Sequence, residues 1–314
     1  MASIMLTLRA SLACNLVFLT GVLLTTSACS RPASGPVRLT TFQGAVDPYL
    51  AQAIGAFRDQ GLEVQITALP STAKAMESLL GGSADVILGT YEQTVQMAAK
   101  GKNLAPIAVL DTCHCLALVT LKPGIAKPSD LAGKVIGVAA PGGQMQNFAR
   151  FLLKGAEASY AAIGVGPASV AALEAGKVDA AVVLYTSFLA LKQRHPELKV
   201  VAETYTREGM RAALGVDAYA SKSVLAEASW IATHPREAAA LKAAFLAGTA
   251  WMKAHTPEQI VDQLPPEARG GDRNVDLTLL RLLVPLASDT GEVPAGADSV
   301  ARRVLGQIST PKSE

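Results

Sequence analysis

The sequence predicts an α/β protein with two lobes, because a near-repeat occurs once in each half of the 314-residue chain. The first copy is SLLGGSADVILGTYEQTVQMAAKG (78–101), and the second is ALEAGKVDAAVVLYTSFLALKQ (172–193). Each copy has the end of a helix, a glycine turn, an aspartate, a short apolar strand and the polar start of another helix. Strands that alternate with helices indicate βαβ units and a mainly parallel sheet. We therefore expect two similar units with a ligand-binding cleft between them.

Bulk composition is typical of a compact globular protein. Half of the residues are apolar, 17% are charged and the formal net charge is +2, which does not fit a disordered chain. The length is sufficient for two lobes that each bury their own core. No block of Lys or Arg stands out, so we expect no nucleic-acid partner, because neutralising phosphates requires clustered cations.

The N-terminal segment has the pattern of an export signal. Residues 1–9 carry one positive charge and no acid, residues 10–24 are mostly apolar, and small residues follow. A secretory signal peptide has these three parts in this order. We therefore predict a signal peptide over residues 1–28. An uncleaved membrane helix is the alternative, although the apolar run is short and interrupted by Asn15.

Thr26-Ser27-Ala28-Cys29 resembles a bacterial lipobox, in which the cysteine becomes the lipidated first residue of the mature protein. The next residues are rich in Pro, Ser and Gly, a composition typical of flexible tethers. We therefore expect lipidation of Cys29 and a tether over residues 29–36. A plain signal-peptide cut near Ala28 is the alternative.

The first half is predicted to alternate between strands and helices. Pro48 suits the first turn of a helix and Gly61 its C-cap, while Ser71 or Thr72 can cap the next helix. The predicted elements are strand 37–42, helix 46–61, strand 62–69, helix 72–82, strand 84–89, helix 91–101 and strand 104–111.

The same alternation restarts after Lys122-Pro123-Gly124. The predicted elements are strand 134–140, helix 145–156, strand 161–166, helix 167–176, strand 178–185, helix 186–195 and strand 199–204. From Ser221 onward the spacing of apolar residues predicts an almost wholly helical segment. We expect a break at His234-Pro235, a cap at Thr256-Pro257 and a final helix that Pro285 bends or ends.

The body of the chain contains two cysteines, Cys113 and Cys115, within the apolar run AVLDTCHCLALV (108–119), which reads as one strand. Residues i and i+2 of a strand share a face with Cα atoms nearly 7 Å apart, at the limit of disulfide geometry. We therefore expect no disulfide unless the strand is kinked. His114 would point to the opposite face, so the three side chains would not converge on one metal ion. We interpret them as buried cysteines and a single hydrogen-bonded histidine, and predict no metal site.

Several strings, in this order and spacing, resemble the substrate-binding proteins of bacterial ABC importers for nitrate, taurine and aliphatic sulfonates, a family that includes thiamine-precursor binders. The strings are AIGAFRDQGLEV (53–64), GGSADVILGTYEQTVQMAAKGK (81–102), SDLAGKVIGVAAPGG (129–143) and IGVGPASVAALEAGKVDAAVV (163–183). The resemblance implies the type II periplasmic binding fold, an α/β architecture of two lobes with mainly parallel central sheets joined by a two-strand hinge. Lobe one would comprise residues 37–118 plus 220–314 and lobe two residues 119–219, with crossovers near Leu118–Lys122 and Leu214–Ala220.

Ligands of open α/β sheets bind beyond the carboxyl ends of the strands. Pro141-Gly142-Gly143-Gln144 follows a predicted strand, and the start of a helix favours an anion there. Structural roles are the alternatives to ligand binding at these junctions: a tight turn at the two glycines, a helix cap at Thr90 and packing between the lobes at Tyr91. Family members often have Gly-Ser where this chain has Gly142-Gly143, so one hydroxyl contact is missing. The predicted ligand-binding residues are Gln43, Thr90, Tyr91, Gly142, Gly143, Gln144 and Tyr185.

No catalytic motif occurs: the chain has no P-loop, no HExxH and no GxSxG. We therefore expect a binding protein without a cofactor and without catalytic residues. The predicted function is that of a monomeric solute-binding lipoprotein of an ABC importer, anchored in the periplasm or at the cell surface, with a membrane permease as partner. The alternatives are a protein that binds or makes a thiamine pyrimidine precursor and a solute-sensing lipoprotein without transport.

Overall fold

The computed structural model describes residues 35–269 and 272–306. The predicted signal peptide, Cys29 and most of the tether lie outside these residues. Within the described part, none of the helices combines the length and apolar character that crossing a membrane requires.

The described residues form ten strands, which belong to two five-stranded sheets. The strands are β1 (Val37–Phe42), β2 (Val64–Leu69), β3 (Val86–Thr90), β4 (Leu104–Val109), β5 (Leu116–Thr120), β6 (Val135–Val138), β7 (Ser159–Ala162), β8 (Ala180–Leu184), β9 (Lys199–Glu203) and β10 (Lys222–Glu227). Sheet one has the order β2-β1-β3-β10-β4, and sheet two has the order β7-β6-β8-β5-β9.

The two sheets have the same topology. In sheet one β10 runs antiparallel to both of its neighbours, β3 and β4, and in sheet two β5 does the same between β8 and β9. The other four strands of each sheet therefore point in one direction. The two near-repeats supply β3 and β8, which occupy equivalent central positions. The predicted α/β fold with two lobes and mainly parallel sheets is confirmed.

Two segments carry the chain between the sheets. The first crossing segment, residues 110–115, connects β4 of sheet one to β5 of sheet two, and the second, residues 215–221, leads back to β10. The first crossing was expected near Leu118–Lys122, but Leu118 already pairs with Val182 inside sheet two. The expected boundary at residue 118 therefore falls within a central strand, because the run 108–119 is two strands separated by a bend and not one continuous strand.

The helices cover both faces of each sheet. They are α1 (Asp47–Ala53), α2 (Ala56–Asp59), α3 (Thr72–Leu80), α4 (Glu92–Ala98), α5 (Gln144–Leu153), α6 (Pro167–Glu174), α7 (Tyr185–Arg194), α8 (Arg207–Leu214), α9 (Ala228–Thr233), α10 (Pro235–Ala254), α11 (Pro257–Gln263), α12 (Arg273–Leu283) and α13 (Ala297–Val304). Short 3₁₀ helices are also present at Pro128–Leu131, Pro266–Ala268 and Val284–Leu286.

Packing on both faces of sheet two explains why its central strands β5, β6 and β8 are almost purely apolar. Alternate residues of β8 belong to different cores, with Ala180 and Val182 on one face and Ala181 and Val183 on the other. Full burial of a side chain such as Phe148 or Leu118, both without exposed surface, contributes about 2 kcal/mol to folding.

Helix α13 packs against parts of both lobes. Its Ala297 and Ala301 lie in the cluster that contains Tyr91 and Val95 of lobe one. On the next face of the same helix, Val300 and Val304 lie in the core of lobe two. The C-terminal helix is therefore a further contact between the lobes, in addition to the two crossing segments and to Leu282 of α12, which packs against the other core of lobe two.

Three further predictions of helix and strand positions differ from the structure. Residues after Ser221 were expected to be helical, but Lys222–Glu227 is the central strand β10. The predicted helix over 46–61 is interrupted at Gly55, whose φ of 78° is left-handed. The strand predicted over 161–166 is β7, Ser159–Ala162, because Gly164 and Gly166 adopt positive φ and leave the sheet.

Candidate functional site

The predicted ligand-binding residues lie at the carboxyl edges of the two sheets. Gln43 follows β1 and is exposed, and Thr90 is the last residue of β3. Gly142 and Gly143 connect β6 to α5, and Tyr185 begins α7 directly after β8. All of these positions are strand-to-helix junctions, the location where open α/β sheets bind ligands.

The start of α5 is shaped by two glycines. Gly142 has φ 75° and is exposed, and a Cβ atom at this position would meet no atom within 4 Å. Its N–H donates to the Gln146 Oε1 at 2.6 Å. Gly143 is the N-cap residue and supplies no capping side chain. The side-chain nitrogens of Gln144 and Asn147, one helical turn apart, are buried without a hydrogen-bond partner in the described structure.

An open depression of about 310 Å³ lies where this helix start meets α4 and the end of α13. Its lining residues are Gln96, Ala99, Lys100, Gly142, Asn147 and Leu305. The polar part of this lining consists of one ammonium group, two carboxamides and the start of a helix, and it includes no carboxylate. Such a surface suits a group that accepts hydrogen bonds or carries negative charge. Of the seven predicted residues, Gly142 is the one that lines it.

Thr90 and Tyr91 begin α4 in a different way from that expected. The Thr90 N–H donates to the Gln93 Oε1 at 2.9 Å, so a side chain within the helix caps this end. The Tyr91 ring is buried beside Val95 and Ala301, and burial raises the pKa of its hydroxyl. Tyr91 thus packs α4 against α13, and a ligand contact at this position stays a prediction.

Gln43 and Tyr185 do not line the depression. The Gln43 N–H donates to the Leu69 carbonyl at 3.0 Å and holds the turn after β1. The Tyr185 ring packs against Tyr205, with 4.7 Å between centroids, and against Phe188 at 5.8 Å. Burial raises the pKa of Tyr185. Both remain candidates at the strand edges.

A charged cluster at the same edge of sheet one was missed by the sequence analysis. Lys222 begins β10 opposite Thr90, and its Nζ lies 2.8 Å from an Asp47 oxygen and 3.6 Å from an Asp111 oxygen. Burial raises the pKa of Asp111 to about 6, although the Lys222 charge acts in the opposite direction. Burial alone would lower the pKa of Lys222, but the two carboxylates raise it above its ordinary value. Two buried acids therefore share one partly buried cation.

The raised pKa of Asp111 predicts a pH dependence of stability. A carboxyl whose pKa rises from 3.8 in the unfolded chain to about 6 in the folded protein binds its proton more tightly when folded. Its contribution to the free energy of unfolding is therefore fully present below about pH 4 and is lost as the pH rises through about 6. We expect the unfolding free energy of the wild type, relative to Asp111→Asn, to increase by on the order of 2 kcal/mol between pH 7 and pH 4. Urea unfolding at several pH values measures this difference, and a constant difference would contradict the assignment.

A second buried polar cluster connects the lobes. The Tyr219 hydroxyl donates to the Glu92 Oε1, and the His114 Nε2 lies 3.2 Å from the same oxygen. Burial raises the pKa of Tyr219 well above its ordinary value. The His114 ring also packs against Phe148 of α5 at 5.0 Å and against Tyr219 at 4.5 Å. This hinge cluster (Glu92, His114, Phe148 and Tyr219) joins α4, both crossing segments and α5.

Cys113 and Cys115 form a disulfide with 5.1 Å between their Cα atoms. The expectation that they would stay unbonded is wrong, because Cys115 adopts a left-handed φ of 56° and supplies the required kink. The sulfurs are bonded to each other and are not thiolate ligands, and no cluster of three metal-ligating side chains occurs among residues 35–269 and 272–306. His114 is buried as expected, but its Nδ1 has no partner there.

Comparison with solved structures relates this fold to known binding proteins. A protein of Bordetella bronchiseptica superposes with a TM-score of 0.76 at 24% identity, covering 90% of this chain and 91% of that chain. The periplasmic aliphatic sulphonate binding protein SsuA of Escherichia coli gives a TM-score of 0.71 at 16% identity, with coverage of 88% and 92%. The alkanesulfonate-binding protein SsuA of Xanthomonas axonopodis, bound to MOPS, gives 0.65 at 16% identity, with coverage of 86% and 90%. These similarities establish the periplasmic binding protein fold.

Sequence comparison identifies the family. A search of curated protein sequences found no match. The model of the NMT1/THI5-like family matches residues 46–260, well over half of the chain. The matched range includes every described strand except β1, and it also includes both crossing segments and the hinge cluster. The chain belongs to the NMT1/THI5-like family.

Proposed function

We propose that this protein is the extracytoplasmic solute-binding component of an ABC importer, and that it captures a small organic or anionic solute between its lobes. The observation that carries the proposal is the pair of equivalent sheets, each with one antiparallel strand, β10 or β5, that directly follows a crossing segment. Because the chain crosses between the two sheets in two short segments, the lobes can rotate around a ligand. The fold similarity to sulfonate-binding proteins of Escherichia coli and Xanthomonas axonopodis supports the same role.

The chemistry of the depression indicates which part of a solute it would hold. Lys100 supplies positive charge, Gln96 and Asn147 supply carboxamides, and Gly142 leaves the backbone at the start of α5 open to approach. A sulfonate, carboxylate or similar acceptor group suits these donors. The ligand class proposed is therefore a small solute with an acidic or hydrogen-bond-accepting end.

Capture of the solute would occur by population shift. A ligand that contacts both lobes binds the closed form more tightly than the open form, and it stabilises the closed form by that difference. The closed form would then dock on a membrane permease. Lipidation of Cys29 would hold the protein at the outer face of a membrane, in the periplasm or at the cell surface, as a monomer. No bond in the solute needs to change, so we propose no catalytic role.

The ligand class can be tested by thermal shift. We expect at least one compound among sulfonates, nitrate, pyrimidines, flavins and carboxylates to raise the melting temperature by several degrees, because a ligand present at about 1,000 times its Kd adds roughly 4 kcal/mol of stability. The compound should be recovered unchanged. A compound that is converted into a product would favour an enzyme of precursor synthesis instead, and no shift with any class would contradict the proposed solutes.

Two glycine variants test where the ligand binds. Gly142→Phe should abolish the shift, because the side chain would project from the start of α5 into the depression. Gly124→Phe is a matched control, since Gly124 is also exposed, has φ 85° and has no atom within 4 Å of a built Cβ. Backbone strain is therefore similar in the two variants. Retained binding in Gly142→Phe would show that the ligand lies elsewhere.

A further inference from the structure

The first crossing segment contains a covalent ring. The disulfide between Cys113 and Cys115 closes across a single residue, His114, and holds the two Cα atoms 5.1 Å apart. Residues two apart in a free strand lie nearly 7 Å apart. The bond therefore keeps the segment bent at the point where the chain passes from sheet one to sheet two.

The bend also holds Cys115 in an unfavourable conformation. Its φ of 56° is left-handed, a region that a residue with a Cβ atom enters only at a cost. Once the bond is broken, Cys115 is free to return to the extended region. Because side chains alternate along an extended segment, that change turns His114 away from its present direction.

His114 is the side chain through which such a change would reach the rest of the molecule. It has 2% exposed surface, and it contacts Glu92 of α4, Tyr219 of the second crossing segment and Phe148 of α5. These three residues belong to separate elements on both sides of the hinge. Displacement of one imidazole would loosen all three contacts together.

The two sulfurs differ in their surroundings. Cys113 has no exposed surface, and its sulfur lies 3.3 Å from the Thr204 carbonyl oxygen, which can accept a hydrogen bond from a thiol. Cys115 is partly exposed. A reductant therefore reaches Cys115 first, and the structure already offers an acceptor for the Cys113 thiol that is released.

We propose that the Cys113–Cys115 disulfide is a redox site that sets the stiffness of the hinge between the lobes. A dithiol reductant attacks the Cys115 sulfur, the S–S bond breaks and a mixed disulfide forms; the second thiol of the reductant then displaces Cys115. The dithiol is oxidised to its disulfide, and both cysteines end as thiols. Reduction releases the hinge cluster, and oxidation restores it. This inference concerns the hinge itself and does not depend on which solute is bound.

Hydrogen exchange of the full chain, measured by mass spectrometry with and without dithiothreitol, tests the proposal. The fragment 103–122 should gain two hydrogens on reduction. Amides of residues 110–116, 219–221 and 146–149 should then exchange about tenfold faster, because local opening of the hinge cluster becomes easier. Amides of α10 should be unchanged.

The Cys113→Ser/Cys115→Ser variant is the matched control, since it differs from the wild type only at the two bonded cysteines. It should exchange like the reduced wild type and should not respond to dithiothreitol. If this variant does not fold, the comparison of the wild type with and without dithiothreitol is sufficient to test the proposal. A fragment that gains no hydrogens would overturn the proposal. Reduction that leaves exchange at residues 219–221 and 146–149 unchanged would overturn it equally.

Discussion

Replacing Lys222 by Met is expected to lower the free energy of unfolding by about 3 kcal/mol, because removing one partner of a buried ionic cluster leaves uncompensated charge in the interior. The Lys222 side chain is 22% exposed and its two partners, Asp47 and Asp111, are 6% and 13% exposed. In the variant these two carboxylates would face each other without a cation. Urea unfolding measures the loss, which corresponds to a melting temperature lower by roughly 6 to 10 °C.

Two comparisons isolate the cause of this effect. Lys74→Met removes a lysine from a surface ion pair, in which the side chains of Lys74 and Glu77 are 58% and 64% exposed. This variant should leave the free energy of unfolding almost unchanged, since exposed ion pairs contribute little. Adding Asp111→Asn to Lys222→Met should recover part of the loss, because it removes one of the two unpaired charges. If Lys222→Met and Lys74→Met lowered the free energy of unfolding equally, Asp47 and Asp111 would not depend on the Lys222 charge, and the prediction would be wrong.

The sequence analysis predicted the two-lobe fold because the near-repeat is a local signal. Each copy contains its own turn, strand and helix start, so β3 and β8 could be located without knowledge of their neighbours. The strand β10 has no comparable signal. The segment KSVLAE is short and runs directly into helix formers, and it becomes a strand because β3 and β4 hydrogen-bond to it on both sides. Tertiary context of this kind overrides local propensity.

The polar clusters were missed for a similar reason. Glu92 and Tyr219 are 127 residues apart, and Lys222 and Asp111 are 111 apart. A single sequence contains no pairing information over such distances. The disulfide was missed because the run 108–119 was treated as one strand, in which the Cα atoms of residues two apart lie nearly 7 Å apart, at the limit of disulfide geometry. Asp111 and Thr112, polar residues inside an apolar run, were the available sign that a strand ends there.

His114→Leu is expected to lower the free energy of unfolding by about 2 kcal/mol, because it leaves the buried Glu92 carboxylate with one hydrogen-bond donor fewer. Glu92 is 1% exposed and His114 is 2% exposed, so water does not replace the lost contact. Leucine fills most of the imidazole volume, which keeps the loss of packing against Phe148 small.

A double-mutant cycle separates this hydrogen bond from packing. Glu92→Gln removes the charge, so His114→Leu should cost less in that background than in the wild type, and the difference is the coupling between the two side chains. His195→Leu is the control: His195 also contacts two glutamates, Glu174 and Glu197, but at the surface, and its replacement should change stability little. Strictly additive costs of His114→Leu and Glu92→Gln would mean that the two residues do not interact. A measured coupling would instead establish that a buried polar contact, formed by residues from lobe one and from the first crossing segment, stabilises the connection between the two lobes.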